Sequence, residues 1–231
     1  MMIEENVARI REAMAKAALA AGRRPEEIAL CAATKMNDAE AVRRAIAAGV
    51  DCCGENRVQE LLLKLPLHAY EGAPVHFIGN LQTNKVGKVV GRVDLIQSVD
   101  RPELLACIEK EAAKQNLIQN ILIEVNVGGE ASKSGFTTES ARRMTDEFGK
   151  YPHIYLRGFM TIPPISLHPG DNRKFFAEMR RLYVDITAKR YDNVSMEYLS
   201  MGMSDDFEDA IAEGSTMVRV GTAIFGPRHY A

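Results

Sequence analysis

A lysine, an arginine and two loops rich in small and hydroxyl residues carry the chemistry this chain could do. Lys35 directly follows the apolar run Ala29-Leu30-Cys31-Ala32-Ala33-Thr34. At the mouth of an apolar enclosure, desolvation disfavours the ammonium and lowers its pKa from about 10.4. A neutral amine can form a Schiff base with an aldehyde. A solvated lysine opening a helix accounts for the position equally well.

The second feature is the block Leu199–Gly226, which reads as strand, loop, helix, strand, loop. Gly221-Thr222 closes its last strand, and glycine there lets backbone N–H groups approach a phosphate closely. Ser200 could add a hydroxyl from the neighbouring strand. Ser204 reads as an N-cap, with Asp205 and Asp206 in the first helical turn. Two carboxylates would repel a phosphate at that helix end, so the anion is expected at Gly221-Thr222. A glycine that simply ends a strand is the bland alternative. Arg219 interrupts the apolar stretch Met217-Val218-Arg219-Val220. A buried guanidinium needs a partner. Glu124 is one choice. The ring nitrogen of a pyridine is the other, and an arginine there would keep that nitrogen unprotonated.

Further positions are softer. Asn56 is expected to flank the ring or its hydroxyl. Met160 and Met201 read as packing residues near it. His76, inside Val75-His76-Phe77-Ile78-Gly79, reads as a satisfied core histidine. Gly128–Gly135 reads as a lid or second anion loop, or as a plain solvated turn. Cys31 and Cys107 read as buried small hydrophobes. Adjacent Cys52 and Cys53 point to opposite faces of a strand and are not expected to pair.

These residues must be positioned by a regular scaffold. Eight apolar runs are expected as strands: Ile28–Thr34, Val50–Gly54, Val75–Gly79, Leu95–Val99, Asn120–Val127, Ile154–Met160, Ser195–Met201 and Thr216–Gly221. Helical stretches lie between them, at Asp38–Ala48, Asn56–Leu65, Thr83–Val90, Pro102–Asn116, Thr138–Lys150, Arg173–Arg190 and Asp205–Ala212. An extra amphipathic helix over Met2–Ala21 precedes them. Strands buried on both faces and alternating with helices predict a parallel sheet. Eight repeats predict one α/β domain over residues 1–231, a (β/α)8 TIM barrel. No G-x-G-x-x-G follows the first strand, which argues against a doubly wound sheet. In the barrel, sites lie at the carboxyl ends of the strands, where Lys35, Asn56, Met160, Ser200, Met201, Arg219, Gly221 and Thr222 all fall. The 231 residues carry a formal net charge of −2. That gives no footprint for nucleic acid or membrane, and no metal site is expected. No signal peptide or membrane-length apolar run is read, so a cytoplasmic protein is expected.

Lysine, phosphate cup and arginine together resemble pyridoxal-phosphate proteins of the alanine racemase N-terminal barrel type. More closely, the chain resembles the YggS/PROSC family of pyridoxal phosphate homeostasis proteins. The matching segments are Ala33–Lys35, Gly54–Glu60, His76–Lys85, Glu124–Phe136, Arg157–Ile162 and Leu199–Gly226. The resemblance implies that Lys35 holds pyridoxal 5'-phosphate as a Schiff base. It implies that Ser200, Gly221 and Thr222 bind its phosphate, Arg219 meets the pyridine nitrogen and Asn56 lies beside the ring. Met36-Asn37 departs from the family's threonine-lysine-proline-like continuation.

A racemase of this type needs a second base, a tyrosine supplied by a C-terminal domain of a partner subunit. This sequence ends at Ala231, soon after the eighth strand, and Tyr230 is a poor substitute. The expectation is therefore a monomeric binder active in vitamin B6 homeostasis without robust turnover, delivering cofactor to pyridoxal-phosphate-dependent apo-enzymes. A weak amino-acid racemase or lyase is the alternative. A barrel using the cup for another phosphorylated metabolite is the third reading.

Overall fold

A computed structural model describes residues 2–130, 133–165, 168–189 and 191–227. Eight strands follow one another along the chain: β1 Ala29–Ala33, β2 Cys52–Glu55, β3 Val75–Phe77, β4 Leu95–Val99, β5 Gln119–Glu124, β6 Ile154–Met160, β7 Val194–Ser200 and β8 Met217–Val220. Neighbours pair in parallel, and β8 pairs back onto β1 with Cys31 opposite Arg219, so the sheet closes in chain order. The eight helices are α1 Ile3–Ala20, α2 Ala39–Ala47, α3 Val58–Lys64, α4 Pro102–Gln115, α5 Thr138–Asp146, α6 Arg173–Thr187, α7 Phe207–Ala212 and α8 Thr222–Phe225. This is the expected (β/α)8 barrel with its additional first helix.

Alternation along the strands sets up two cores. Leu30, Ala32, Cys53, Phe77, Ile96, Phe159 and Val218 belong to the large cluster that also takes in helix residues, so they face the helices. Their strand neighbours form small clusters inside the barrel. Cys31, Cys52 and Met217 make one, and Leu95, Leu122 and Met160 make another.

Local signals explain most boundaries. The Asp38 side chain accepts from the Ala41 N–H at 2.8 Å and starts α2. Pro102 opens α4, and Asn116 at φ 53° ends it. Between β3 and β4 the predicted helix is replaced by a 3-10 turn over Thr83–Lys88. Asn84 and Gly87 are weak helix formers, and two 3-10 turns are all that segment sustains.

Helix α1 does more than cover the barrel. It buries Val7, Ile10, Met14 and Ala18 on one stripe. Its buried Asn6 donates to the Ile224 carbonyl at 2.8 Å, which ties it to α8. Arg23, just beyond it, donates to the Ile211 and Ser215 carbonyls at 2.9 and 2.7 Å, bracing the turn before β8. Among the described residues no helix is long and apolar enough to cross a membrane.

Candidate functional site

Lys35 stands in the loop after β1, and the backbone on both sides of it is pinned. Thr34 is fully buried, and its N–H donates to the Gly54 carbonyl at 2.9 Å. Glu55, the last residue of β2, lies beneath this loop with no exposure. Its Oε1 accepts from Thr34 Oγ1 at 2.6 Å, Lys64 Nζ at 2.6 Å and Tyr70 Oη at 2.9 Å. Lys64 Nζ also donates to the Thr34 carbonyl at 2.8 Å. On the far side Met36 has φ 62°, a conformation uncommon for a residue with a side chain, and its N–H donates to Glu60 Oε2 at 2.6 Å. Burial beside the Glu55 carboxylate pushes the Tyr70 hydroxyl far above its usual range. Glu55 was visible as a strand end, but Lys64 and Tyr70 escaped sequence reasoning. An acid closing an apolar strand, with a lysine on the next helix, is the signal that could have found the pair.

The end of β8 faces this loop. Gly221 caps the short helix α8, and its carbonyl accepts from the Ile224 and Phe225 N–H groups at 2.9 and 3.0 Å. A Cβ on Gly221 would stand 3.3 Å from Ala33 Cβ and 3.4 Å from the Ala33 carbonyl, tighter than ordinary contact. Lys35, Ala33, Met36, Gly221, Thr222 and Phe225 line one cavity of about 140 Å³. The structure thus brings together Lys35 and the Gly221-Thr222 turn. Sequence reasoning read a loop here, because four helical residues leave no periodicity to detect.

The neighbouring β7–α7 turn differs from expectation. Ser204 is not the N-cap of α7; that helix starts at Phe207, and Asp206 occupies the cap position. Asp206 accepts from the Met203 N–H at 2.7 Å and from Asn172 at 2.8 Å, which fixes the turn without Ser204. Ser204 Oγ instead lies 3.5 Å from the Ala223 N–H, beside the first turn of α8. Gly202, at φ 94°, permits this path, since a Cβ there would lie 2.6 Å from Ala210 Cβ.

Arg219 and Ser200 lie below the cavity, inside the barrel. Arg219 is 5% exposed and Ser200 fully buried. Arg219 Nη1 donates to Ser200 Oγ at 2.6 Å, and Nη2 donates to the Thr161 carbonyl at 2.9 Å. Ser200 Oγ passes its own proton to Gln97 Oε1 at 2.7 Å, and Gln97 Nε2 meets His76 Nδ1 at 2.9 Å. His76 is therefore the satisfied core histidine expected. Ser200 has both its accepting and donating capacity engaged beneath the cup. Arg219's partners are neutral oxygens, so the expected alternative of a direct pair with Glu124 is not what holds it. Burial pulls the guanidinium's pKa down, with Cys31, Glu124 and Asp206 opposing that pull from nearby. Glu124 itself is pushed up to about 7, first by burial and then by Asp100, with Arg219 acting in the other direction.

Met160 and Met201 are both fully buried. Met160 faces the barrel interior with Leu95 and Leu122, while Met201 joins the outer core. Asn56 opens onto a second cleft of about 510 Å³, together with Arg57, Glu60, Asn80, Gln82 and Lys85. Its Oδ1 is buried and has no hydrogen-bond partner among the described residues. Cys107 is half-buried rather than buried. Its thiol turns toward the Thr83 carbonyl at 3.7 Å. In the Gly128–Gly135 loop, Asn126 Nδ2 ties down the carbonyls of Glu130 and Lys133 at 2.9 and 3.0 Å. Residues 131–132 of that loop and Tyr230 lie outside the described residues.

The chain is similar to known proteins over nearly its whole length. The alanine racemase N-terminal domain family matches residues 2–229. The chain is 43% identical, over 98% of both sequences, to the "Pyridoxal phosphate homeostasis protein" of Aquifex aeolicus. An unknown protein from Bifidobacterium adolescentis superposes with a TM-score of 0.91 at 39% identity, covering 96% of this chain and 94% of that one. PipY of Synechococcus elongatus with PLP bound superposes with a TM-score of 0.82 at 30% identity, covering 97% of this chain and all of that one. The chain belongs to the alanine racemase N-terminal domain family, in the branch whose curated members are called pyridoxal phosphate homeostasis proteins.

Proposed function

We propose that this protein binds pyridoxal 5'-phosphate between Lys35 and Gly221-Thr222 and serves vitamin B6 homeostasis as a holder of the cofactor, without robust turnover. The observation that carries this reading is the single cavity lined by both the amine and the glycine turn. The homeostasis proteins it resembles and the PLP-bound PipY structure support it.

The residues fit the group on two further counts. Gly221 lies so close to Ala33 that a side chain would fill the space an anion needs. Asn56 keeps a buried acceptor without a donor, and such orphans in a native protein call for an explanation. When bound, pyridoxal phosphate supplies an aldehyde, a phosphate and a pyridine nitrogen. Lys35 holds it through its amine. Gly221 and Thr222 supply backbone N–H groups and a hydroxyl to the phosphate. Asn56 Oδ1 would accept a hydrogen bond from the ring's hydroxyl substituent. Ser200 acts through Arg219, accepting one of its N–H groups and so fixing the guanidinium. Two of the arginine's five N–H donors are engaged by Ser200 and Thr161. Those that remain leave it able to donate to the ring nitrogen, which keeps that nitrogen unprotonated and weakens electron withdrawal. Met160 and Met201 shape the walls beneath.

Among the described residues lining the cavity, Lys35 is the one with a titratable side chain. Racemisation needs two such groups, which supports a holder over a catalyst. Glu124, poised near 7 inside the barrel, is the observation favouring the second reading of a weak racemase or lyase. The holder reading includes a cytoplasmic monomer that gives up cofactor to apo-enzymes.

Reconstituted protein should show a visible absorbance band, and borohydride reduction should fix the cofactor on the peptide containing Lys35. Lys35→Ala should lose both. A colourless wild type after reconstitution would overturn the reading. Incubation with single amino acid enantiomers in deuterated water separates the two functions, because catalytic exchange of the α-proton would show turnover.

A further inference from the structure

The barrel interior holds a second group of reactive side chains that the cofactor reading does not use. Cys31 on β1, Cys52 on β2 and His76 on β3 come from three successive strands. Their donor atoms all lie within 4.8 Å of one another, and all three residues are buried. Cys31 and Cys52 are register partners on adjacent strands, so their side chains share one face. Met217 on β8 belongs to the same buried cluster as the two cysteines.

From this geometry we infer that Cys31, Cys52 and His76 form a binding site for a soft metal ion, zinc(II) or copper(I), with the Met217 thioether as an additional donor. Thiolate, imidazole and thioether are the donors such ions select, and the hard carboxylates that would favour calcium or magnesium are missing from the cluster. Ligand atoms of a zinc or copper site lie about 3.5–4 Å apart when metal bonds are about 2.0–2.3 Å long, so small side-chain movements close the set. Gln97 lies 2.9 Å from His76 Nδ1 and is placed to support the ring from its far side. Loading through the other ring nitrogen places the ring proton on Nδ1, and Gln97 accepts it by turning its amide over, in exchange for the bond its oxygen accepts from Ser200. Cys31 and Cys52 each release their thiol proton on binding as thiolates. An entry path exists. A cavity of about 130 Å³ on the amino-terminal face of the barrel is lined by His76 and Tyr198, together with Asp94, Leu95 and Asn120. This is the face opposite Lys35, so the site is separate from the cofactor cup.

The test is titration of chelator-stripped full-length protein with zinc(II) alone and with copper(I) alone, each against a chromophoric competitor. One equivalent of at least one of these ions should be held by the wild type, with at least tenfold weaker binding in Cys31→Ser and in Cys52→Ser. Cys53→Ser, Cys107→Ser and Lys35→Ala should bind as the wild type does, the last keeping metal binding distinct from the cofactor reading. Cobalt(II) provides a second measurement in the unmutated protein, where a thiolate charge-transfer band is expected. Failure to retain an equivalent of either ion would overturn the inference. So would metal binding that survives the folded Cys31→Ser/Cys52→Ser double variant.

Discussion

Two buried cations lie on either side of β1, one against the end of β2 and one on β8, and they are treated differently. Lys64, on the Lys35 side, meets Glu55 at 2.6 Å and has Glu60 3.6 Å away, so its charge is neutralised within the protein. Arg219, beneath Gly221, meets a hydroxyl and a carbonyl. Neutral acceptors satisfy its hydrogen-bonding geometry but leave its charge uncompensated at contact distance. The first network is turned inward: it fixes the loop that carries Lys35 through three donors to Glu55 Oε1, with Oε2 buried and without a partner among the described residues. The second is open: it orients a cation whose field is still available to an electron-rich group arriving from the mouth. A buried charge with a carboxylate partner is therefore scaffolding here, and one without keeps its field available, as the proposed cofactor contact requires.

The comparison is broken most severely at Lys64. Lys64→Met leaves Glu55 buried and unpaired, which should cost about 3–5 kcal/mol in urea unfolding. Adding Glu55→Gln should recover a good part of that loss, because both charges are then gone. If the double variant is as unstable as the single, the pair is not a closed unit. Arg219→Met should cost less, about 1–2 kcal/mol, since it removes an uncompensated charge along with two hydrogen bonds. It should also change the absorbance spectrum of cofactor-loaded protein. A stability loss larger than that of Lys64→Met would reverse the contrast.

Glu124 sharpens the open side through pH. Burial raises its pKa from 4.5 to about 7, so the native state holds this proton more tightly than the unfolded chain does. Its contribution to stability is full below about pH 4.5 and disappears as pH rises through 7. Compared with Glu124→Gln, the wild type should lose about 1–2 kcal/mol across that window, a figure reduced for its partial exposure. Parallel stability curves for the two proteins would show that Glu124 does not feel the interior. The smallest effect belongs to the cup. Gly221→Ala should cost about 1 kcal/mol of stability through the close approach to Ala33, and should weaken pyridoxal phosphate binding measured by absorbance titration.

Much of this was legible in the residues. The sequence pattern placed all eight strands within a few positions, because runs such as Ala29–Ala33 and Gln119–Glu124 carry a continuous apolar centre. Lys35, Gly221 and Thr222 were legible because strand ends in a barrel converge on one mouth. What escaped was side-chain direction. Ser200 and Ser204 are four residues apart in one loop region, yet one hydroxyl points down to Gln97 and the other lies beside α8. Composition cannot separate them; the turn at Gly202 does. The Glu55–Lys64–Tyr70 contact was hidden for a related reason. Its members belong to a strand, a helix and a loop, and only packing sets their distances.

Closure of β8 onto β1 has a consequence for how the protein is made. Lys35 emerges from the ribosome long before Gly221 and Thr222 do. No part of the chain before β8 can present both walls of the cavity. The proposed cofactor cavity therefore lies on the closing seam of the barrel, between β1 and β8, built from long-range contacts that form slowly because a long loop must be closed first. A ligand gripping both sides of that seam binds the closed ring alone and opposes its opening in proportion to its free concentration.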